Sequence, residues 1–321
     1  MPSESCPLTS RADACIRMPV DYFFMPELPE VETIARGLAR RVKGDVIESV
    51  WLGSKPEPLK SPAHEIAATL ESSRILDVRR VGKHIVFDLE SGRALRTSKQ
   101  KHAGSRAVRS GRRSGPTPVG NTSRQAQWIV HLGMTGRMLV CEVEAEIAKH
   151  THAIAKLASG RELRFVDPRR FGRLSVSRGF EASGSEPLEV KLERFVELFG
   201  GRKTPIKSAL LNQKLLSGVG NIYADESLFR AGIRPRRRTA SLTREDLRRL
   251  YLAVQEVLQE AIRLGGSSVS DYVDADGEEG FFQLQHRVYG RQGEACLVCK
   301  TPIKRVVIGG RSSHFCPQCQ K

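Results

Sequence analysis

Four cysteines near the carboxyl end of the chain have the spacing of a metal-binding module. Cys296-x-x-Cys299 is followed, after 16 intervening residues, by Cys316-x-x-Cys319. Each pair lets two thiolates reach one ion from a tight turn, and two pairs supply the tetrahedral sulfur set that zinc prefers. Because all four positions of such an ion are filled, the predicted zinc is structural and takes no part in catalysis. A redox dithiol is the alternative interpretation.

The residues between the two cysteine pairs predict a β-hairpin. The segment from Ile303 to Ile308 has the composition of a strand, and Gly309-Gly310 supplies a turn. Basic side chains follow this hairpin at three positions, Lys304, Arg305 and Arg311. We expect the zinc to hold the hairpin against the phosphates of a nucleic acid.

Two further patterns have the residue types to bind an ion. Glycines in residues 218–221 (Gly-Val-Gly-Asn) allow the backbone to approach a phosphate, and a helix predicted after them would favour an anion at its N-terminus. His150 and His152 are spaced like a pair of metal ligands. Because no further ligand accompanies them, we interpret the two histidines as structural or DNA-facing residues.

Length and charge narrow the class of protein. The chain has 321 residues, enough for two domains and a small module, and a net charge of +16 that favours a polyanionic partner. Residues 97–127 contain seven basic residues and no acidic one, which predicts a disordered insertion that is either inert or a non-specific DNA tether. No apolar run reaches the roughly 18 residues of a membrane span. The first 24 residues lack the apolar core of a signal peptide, so we expect a cytoplasmic protein.

Hydrophobic periodicity predicts a strand-rich part after a first helix. Residues 26–41 predict that helix, with Pro29 in its first turn and Val31, Ile34 and Leu38 on one face. Six short apolar segments then predict the strands of a β-rich domain. They are Val46–Trp51, Ile75–Val78, Ile85–Leu89, Trp128–Leu132, Met138–Val143 and Leu163–Val166.

From about residue 190 the pattern becomes helical. Residues 205–216 and 223–231 predict two short helices around a glycine-rich turn. A longer helix follows, which Thr243 caps and Gly265-Gly266 ends. Its apolar stripe is predicted to face the core.

Several of these segments resemble the formamidopyrimidine-DNA glycosylase family. With the cysteine module, the resemblance covers residues 25–321 apart from 97–127. The matching motifs stand in the family's order and are Met25-Pro26-Glu27-Leu28-Pro29-Glu30-Val31-Glu32-Thr33, His131-Leu132-Gly133-Met134-Thr135-Gly136, Asp167-Pro168-Arg169-Arg170-Phe171-Gly172, Gly218-Val219-Gly220-Asn221-Ile222-Tyr223-Ala224-Asp225-Glu226 and Val288-Tyr289-Gly290-Arg291.

The resemblance implies an α+β fold whose domains bind damaged double-stranded DNA between them. We expect a catalytic β-sandwich domain with flanking helices over residues 26–183, interrupted by the insertion 97–127. A helical helix–two-turn–helix domain would follow over 184–287, and a zinc-finger β-hairpin holding one structural Zn²⁺ over 288–321. The partner would be damaged duplex DNA, without a membrane or an obligate protein partner, and the chain a monomer associated with the nucleoid.

The resemblance also implies that Pro26, once it is the N-terminus of the chain, is the nucleophile. A free α-amino group has a pKa of about 7.7–8, well below that of lysine, so more of it is neutral near physiological pH. Its attack on C1′ of the damaged nucleotide displaces the base and leaves a Schiff base on the sugar. Glu27 matches the acid that protonates the sugar, and Glu30 another active-site carboxylate. Lys83 matches an essential lysine that contacts the phosphates and assists elimination.

A set of void-filling residues is implied as well, because extruding a nucleotide leaves a gap in the duplex. Met134, Arg169 and Phe171 match the three residues that fill this gap in the family: methionine and phenylalanine wedge against bases, and arginine pairs with the orphaned one. Residues 267–282 resemble the loop that covers the extruded base.

The remaining matches imply contacts with the DNA around the lesion. Asn221 matches a phosphate-binding asparagine of the family, and Arg311 matches its finger arginine, which we also place among the catalytic residues. Lys207 matches a lysine near the lesion. We expect His150 to contact the DNA as well.

The chain departs from the family in front of Pro26. Residues 1–25 form an irregular extension, and while they are present the nitrogen of Pro26 belongs to an amide. We therefore expect that Met25 is the true start and that removal of this methionine exposes Pro26. If residues 1–25 are retained, the alternative is a zinc protein that binds damaged DNA without cutting it.

A second alternative is the sister branch of the family, the endonuclease VIII-like enzymes that act on oxidised pyrimidines. That branch usually has glycine at the position of Leu28. Leucine there favours the purine branch, with 8-oxoguanine and formamidopyrimidines as substrates and strand cleavage by β,δ-elimination.

Overall fold

A computed structural model of the chain describes residues 25–91, 125–267 and 280–321. Residues 1–24 of the predicted N-terminal extension, residues 97–124 of the predicted insertion and residues 268–279 of the predicted loop lie outside these ranges. The boundary of the insertion is corrected at one end. A strand begins at Gln125, and its first three residues pair with the neighbouring strand, so the insertion ends before residue 125.

The first domain contains two four-stranded antiparallel sheets. One sheet has the order β2-β3-β4-β8 and the other β1-β6-β7-β5. The strands are β1 Ile47–Leu52, β2 Arg74–Val81, β3 His84–Glu90, β4 Gln125–His131, β5 Arg137–Glu142, β6 Thr151–Leu157, β7 Arg161–Val166 and β8 Arg173–Ser177.

Alternation of side chains along these strands builds the core between the sheets. Ile85, Phe87 and Leu89 of β3 point to one face and are completely buried. Phe87 lies opposite Trp128 of β4, and their ring centroids are 4.9 Å apart. All six predicted strands are present with ends shifted by at most three residues, whereas β6 and β8 were not predicted.

Helix α1, Leu28–Val42, packs against β2, β3 and the long helix of the second domain. It begins two residues after the predicted start, because Glu27 and Glu30 form a capping box there and Pro29 lies in its first turn. A short helix, α2 Ala63–Leu70, packs on β1 and β8. The start of α1 is thus fixed at the boundary between the two domains.

The second domain is helical, as predicted. Its helices are α3 Leu192–Phe199, α4 Ile206–Leu210, α5 Asn221–Arg230 and α6 Arg244–Arg263. The Thr243 hydroxyl accepts the Asp246 N–H at the start of α6, and Gly265 and Gly266 follow its end with positive φ angles. The predicted helix over 205–216 is too long, because the Asn212 side chain turns the backbone after α4 by accepting the Lys214 N–H at 3.0 Å. Within the described ranges, no helix has both the length and the apolar character needed to cross a membrane.

The predicted C-terminal hairpin consists of β9 Lys304–Ile308 and β10 Arg311–Phe315. Gly309 and Gly310 form the two-residue turn with φ angles of 56° and 77°, a conformation that glycine adopts readily. Strand β10 contacts α5, so the hairpin lies against the helical domain.

Candidate active site and DNA interface

The carboxylate of Glu27 lies at the N-terminus of α5. It accepts the N–H of Ile222 at 3.1 Å and that of Tyr223 at 3.5 Å, where the positive end of a helix favours an anion. The neighbouring Leu28 N–H donates to the carbonyl of Gly218 at 3.1 Å. These bonds join the start of the first domain to the glycine-rich turn of the second.

Glu30 is fully buried beside Glu27. Its carboxylate accepts the main-chain N–H of Glu27 at 2.9 Å, that of Ser267 at 2.8 Å, and the hydroxyl of Tyr223. Burial and the nearby Glu27 charge raise the pKa of Glu30 to about 7. Burial also raises the pKa of Glu27, although Lys83 and the two helix N–H groups oppose this. Two carboxyl groups with raised pKa values suit proton transfer.

Lys83 follows Gly82 in the turn between β2 and β3. Burial lowers the pKa of Lys83, and the charges of Glu27 and Glu30 oppose that shift. One cleft of about 410 Å³ is lined by Met25, Glu27, Lys83, Asn221 and Arg311. Pro26 is buried between Met25 and Glu27. The structure therefore brings three of the five predicted catalytic residues, Glu27, Lys83 and Arg311, to one cleft. The other two, Pro26 and Glu30, are buried next to Glu27 and do not line it.

The predicted void-filling residues lie on two adjoining loops of the first domain. Phe171 exposes 52% of its surface, and the Arg169 guanidinium carbon lies 5.2 Å from the centre of its ring. Asp167 stabilises both loops by accepting the Thr135 hydroxyl at 2.6 Å and the Gly172 N–H at 2.7 Å. Met134, on the other loop, is half-buried.

Glycine is required where these two loops touch. A Cβ atom added to Gly133, which has a φ of 67°, would lie 2.5 Å from the main-chain carbon of Phe171. The contact lets the loops meet through their backbones and leaves the side chain of Phe171 projecting into solvent.

The two histidines differ in their surroundings. His150 is exposed and lines a groove with Trp51 and Arg170. His152 is buried, and its Nε2 lies 3.0 Å from the carbonyl of Asp167, so it supports the loop with Phe171. In the described part of the chain, only the four cysteines form a cluster that could hold a metal.

The structure corrects the prediction that Lys207 contacts DNA directly. Its side chain is fully buried, and Nζ lies 2.5 Å from Oδ1 of Asp225. Burial lowers the pKa of Lys207, and the Asp225 carboxylate opposes this shift. A buried ammonium group that is paired with a carboxylate leaves no surface for a phosphate. The spacing of helical residues does not reveal such a pair.

The four cysteine sulfurs fit one structural zinc ion. All lie within 4.8 Å of one another, with 3.9 Å between Cys296 and Cys319 and 3.4 Å between Cys299 and Cys316. Tetrahedral coordination with Zn–S bonds of about 2.3 Å places sulfurs about 3.8 Å apart.

Two buried acidic groups that hold the domains together were not predicted from the sequence. Glu226 accepts the N–H groups of Arg287, Val288 and Tyr289, which lead into the zinc finger. Asp225 binds the hairpin, as described below. Both acids stand in a motif that was noted, but no pattern in one sequence separates a buried carboxylate from a solvated one.

Three family models match the chain in order. They are the formamidopyrimidine-DNA glycosylase N-terminal domain over residues 25–174, the H2TH domain of the same glycosylases over 184–273, and a zinc finger found in FPG and IleRS over 293–321. The formamidopyrimidine-DNA glycosylase of Solibacter usitatus is 44% identical over 307 residues, which span 92% of this chain and 100% of that relative. The glycosylase of Thermus thermophilus is 42% identical over 310 residues, spanning 92% of this chain and 98% of the relative.

Solved structures agree with the family models. The crystal structure of the MutM (Fpg) protein from Thermus thermophilus superposes with a TM-score of 0.73 at 40% identity, covering 92% of this chain and 98% of that one. Wild-type Lactococcus lactis Fpg, in a complex with DNA containing N7-benzyl-Fapy-dG, gives 0.76 at 30% identity, covering 92% and 100%. The chain described here therefore belongs to the formamidopyrimidine-DNA glycosylase family.

Proposed function

We propose that this chain is a bifunctional base-excision repair enzyme that removes oxidised purines from duplex DNA and cleaves the resulting abasic strand. The observation that carries the proposal is the meeting of Glu27, Lys83, Asn221 and Arg311 at one cleft beside Pro26. Wild-type Lactococcus lactis Fpg has been crystallised with a DNA containing a formamidopyrimidine lesion, which supports a damaged purine as the substrate.

The proposed mechanism begins with the free secondary amine of Pro26. Its lone pair attacks C1′ while the glycosidic bond breaks, and the base departs with the bonding electrons and takes up the proton that the proline nitrogen loses. Glu27, whose pKa burial raises, donates a proton to the sugar oxygen as the ring opens. The product is an iminium cation that joins the proline nitrogen to C1′.

Strand cleavage follows from the positive charge of that iminium. It acidifies the C2′ proton, whose loss expels the 3′-phosphate, and a second elimination expels the 5′-phosphate. Lys83 and Arg311 bind these phosphates and stabilise the charge that develops on them, and Asn221 positions the backbone. The zinc, held by the four cysteines, keeps the basic hairpin folded.

Pro26 acts only when its nitrogen is not part of a peptide bond. We propose that synthesis starts at Met25 and that this methionine is removed. The family match begins at residue 25, which supports this start. The intact mass of the protein from its native source tests it: a dominant species that retains residues 1–25 would contradict a proline nucleophile and favour a DNA-binding protein that does not cut.

We further propose that the enzyme acts as a cytoplasmic, nucleoid-associated monomer.

The choice between lesion classes is tested by excision assays on duplexes that carry 8-oxoguanine or thymine glycol. We expect faster excision of 8-oxoguanine, and the reverse order would place the chain with enzymes for oxidised pyrimidines.

A further inference from the structure

Asp225, on the second turn of α5, is a fully buried carboxylate that binds the zinc hairpin. Its Oδ1 accepts the hydroxyl of Ser313 at 3.0 Å and lies 2.5 Å from Nζ of Lys207. Its Oδ2 accepts the main-chain N–H of His314 at 2.9 Å and lies 3.4 Å from Nδ1 of that residue. All four side chains are fully buried. None of them lines the catalytic cleft.

Lys207 adds a second set of bonds from the same place. Besides Asp225, its Nζ donates to the carbonyl of Ser312 at 3.3 Å and to that of Asn221 at 3.4 Å. The amide of Asn221 donates to the Ser312 hydroxyl at 3.2 Å. The ammonium group therefore joins α4, the start of α5 and strand β10.

These bonds hold three consecutive residues of β10, Ser312, Ser313 and His314. Arg311 directly precedes them and follows the Gly309-Gly310 turn. The zinc ligand Cys316 fixes the other end of the strand. Arg311 lies between the turn and the strand residues that the buried pair holds. Its position relative to the cleft thus depends on that pair.

We propose that the buried Lys207–Asp225 pair is a positioning device for Arg311, which clamps the zinc hairpin to the helical domain so that the guanidinium reaches a DNA phosphate. The inference rests on the proposed function, since that function assigns the phosphate contact to Arg311. A buried ion pair is costly unless its hydrogen bonds are satisfied, and here every bond of the carboxylate goes to Lys207 or to the hairpin. Lys207 and Asp225 act through Arg311 and touch no substrate.

The dependence of DNA binding on salt measures this positioning. The logarithm of the binding constant falls with the logarithm of salt concentration, with a slope of about −0.9 for each phosphate contact. The full chain is titrated with a duplex that carries a tetrahydrofuran abasic-site analogue. We expect Arg311→Ala to reduce the magnitude of the slope by about 0.9, and Asp225→Asn to reduce it equally while zinc stays at one ion per chain.

Combining the two substitutions separates positioning from a general loss of stability. Because both remove the same contact, Arg311→Ala with Asp225→Asn is expected to match Arg311→Ala alone. Ser313→Ala, which removes one bond of the clamp, is expected to give an intermediate slope and serves if Asp225→Asn does not fold. Val254→Ala, in the core of α6, is the matched control and is expected to retain the wild-type slope.

Two outcomes would overturn the proposal in different ways. If Arg311→Ala reduces the slope while Asp225→Asn and Ser313→Ala keep the wild-type slope, the positioning role is refuted and the phosphate contact of Arg311 stands. A wild-type slope for Arg311→Ala would refute the phosphate contact itself, and with it that part of the proposed function.

Discussion

The carboxylate of Glu30 accepts the main-chain N–H of Glu27 at 2.9 Å, and this bond fixes the peptide plane that follows Pro26. The other oxygen of Glu30 binds Ser267 and Tyr223, which belong to the helical domain. A single buried carboxyl group thus orients the proposed nucleophile relative to the second domain. Its titration is therefore expected to affect the stability of the protein.

Replacing Glu30 by glutamine is expected to change how stability depends on pH. Its pKa is about 7 in the folded protein and 4.5 in the unfolded chain, so the folded state binds the additional proton between these values. The contribution of Glu30 to the free energy of unfolding therefore falls by up to about 1.4 kcal/mol per pH unit as pH rises through that window. Glu30→Gln removes this loss, so its stability relative to the wild type is expected to rise from pH 4.5 to 7.

Urea unfolding at several pH values measures this effect. The exposed Glu245→Gln on α6 is the matched control, and its curve is expected to run parallel to that of the wild type. Parallel curves for Glu30→Gln as well would show that Glu30 does not take up a proton in this range.

Replacing Gly220 by alanine is expected to displace Glu27. A Cβ atom at Gly220 would lie 2.2 Å from the carboxyl carbon of Glu27, which the N–H of Ile222 holds in place. Because an acid out of reach cannot protonate the sugar, we expect base excision to slow by about a hundredfold or more. Single-turnover excision of 8-oxoguanine measures this.

Gly179→Ala provides the control for that substitution, because an added Cβ there meets nothing within 4 Å. It is expected to excise the base at the wild-type rate. A folded Gly220→Ala enzyme that works as fast as Gly179→Ala would argue against Glu27 as the proton donor.

Replacing Phe171 by alanine is expected to impair lesion extrusion with little effect on stability. The side chain is 52% exposed, so its loss is expected to change the free energy of unfolding by no more than about 0.5 kcal/mol. Excision of 8-oxoguanine is expected to slow about tenfold or more, because the gap in the base stack is no longer filled. Cleavage of a preformed abasic site is expected to slow less, since no base has to be extruded.

Leu252→Ala, an exposed position on α6, is the control for Phe171→Ala and is expected to leave both reactions unchanged. Equal slowing of both reactions by Phe171→Ala would contradict a role in extrusion.

Much of the fold was predictable because local signals were strong. The spacing of Cys296, Cys299, Cys316 and Cys319 predicted the sulfur cluster, and glycines predicted the hairpin turn between them. Thr243 predicted the start of α6, because a hydroxyl that accepts an N–H three residues later is a local interaction.

The missing parts depend on partners that are distant in the sequence. Strand β6, Thr-His-Ala-Ile-Ala-Lys-Leu, includes a buried His152 whose bond to the Asp167 carbonyl compensates its polarity. Strand β8 is short and has two serines among its five residues, which weakens its apolar pattern. Lys207 was predicted to contact DNA because it matches a family lysine near the lesion. Its partner Asp225 lies 18 residues away on another helix. Periodicity does not reveal such pairs.

The central claim is that Pro26 attacks the sugar only as a free N-terminus, and borohydride trapping tests it most directly. Reduction converts the iminium between proline and C1′ into a stable covalent adduct that gel electrophoresis detects. On 8-oxoguanine duplex, a chain that begins at Pro26 is expected to form this adduct, whereas the 321-residue chain is expected to form none. Equal trapping of both chains, or no trapping of the chain that begins at Pro26, would contradict the account.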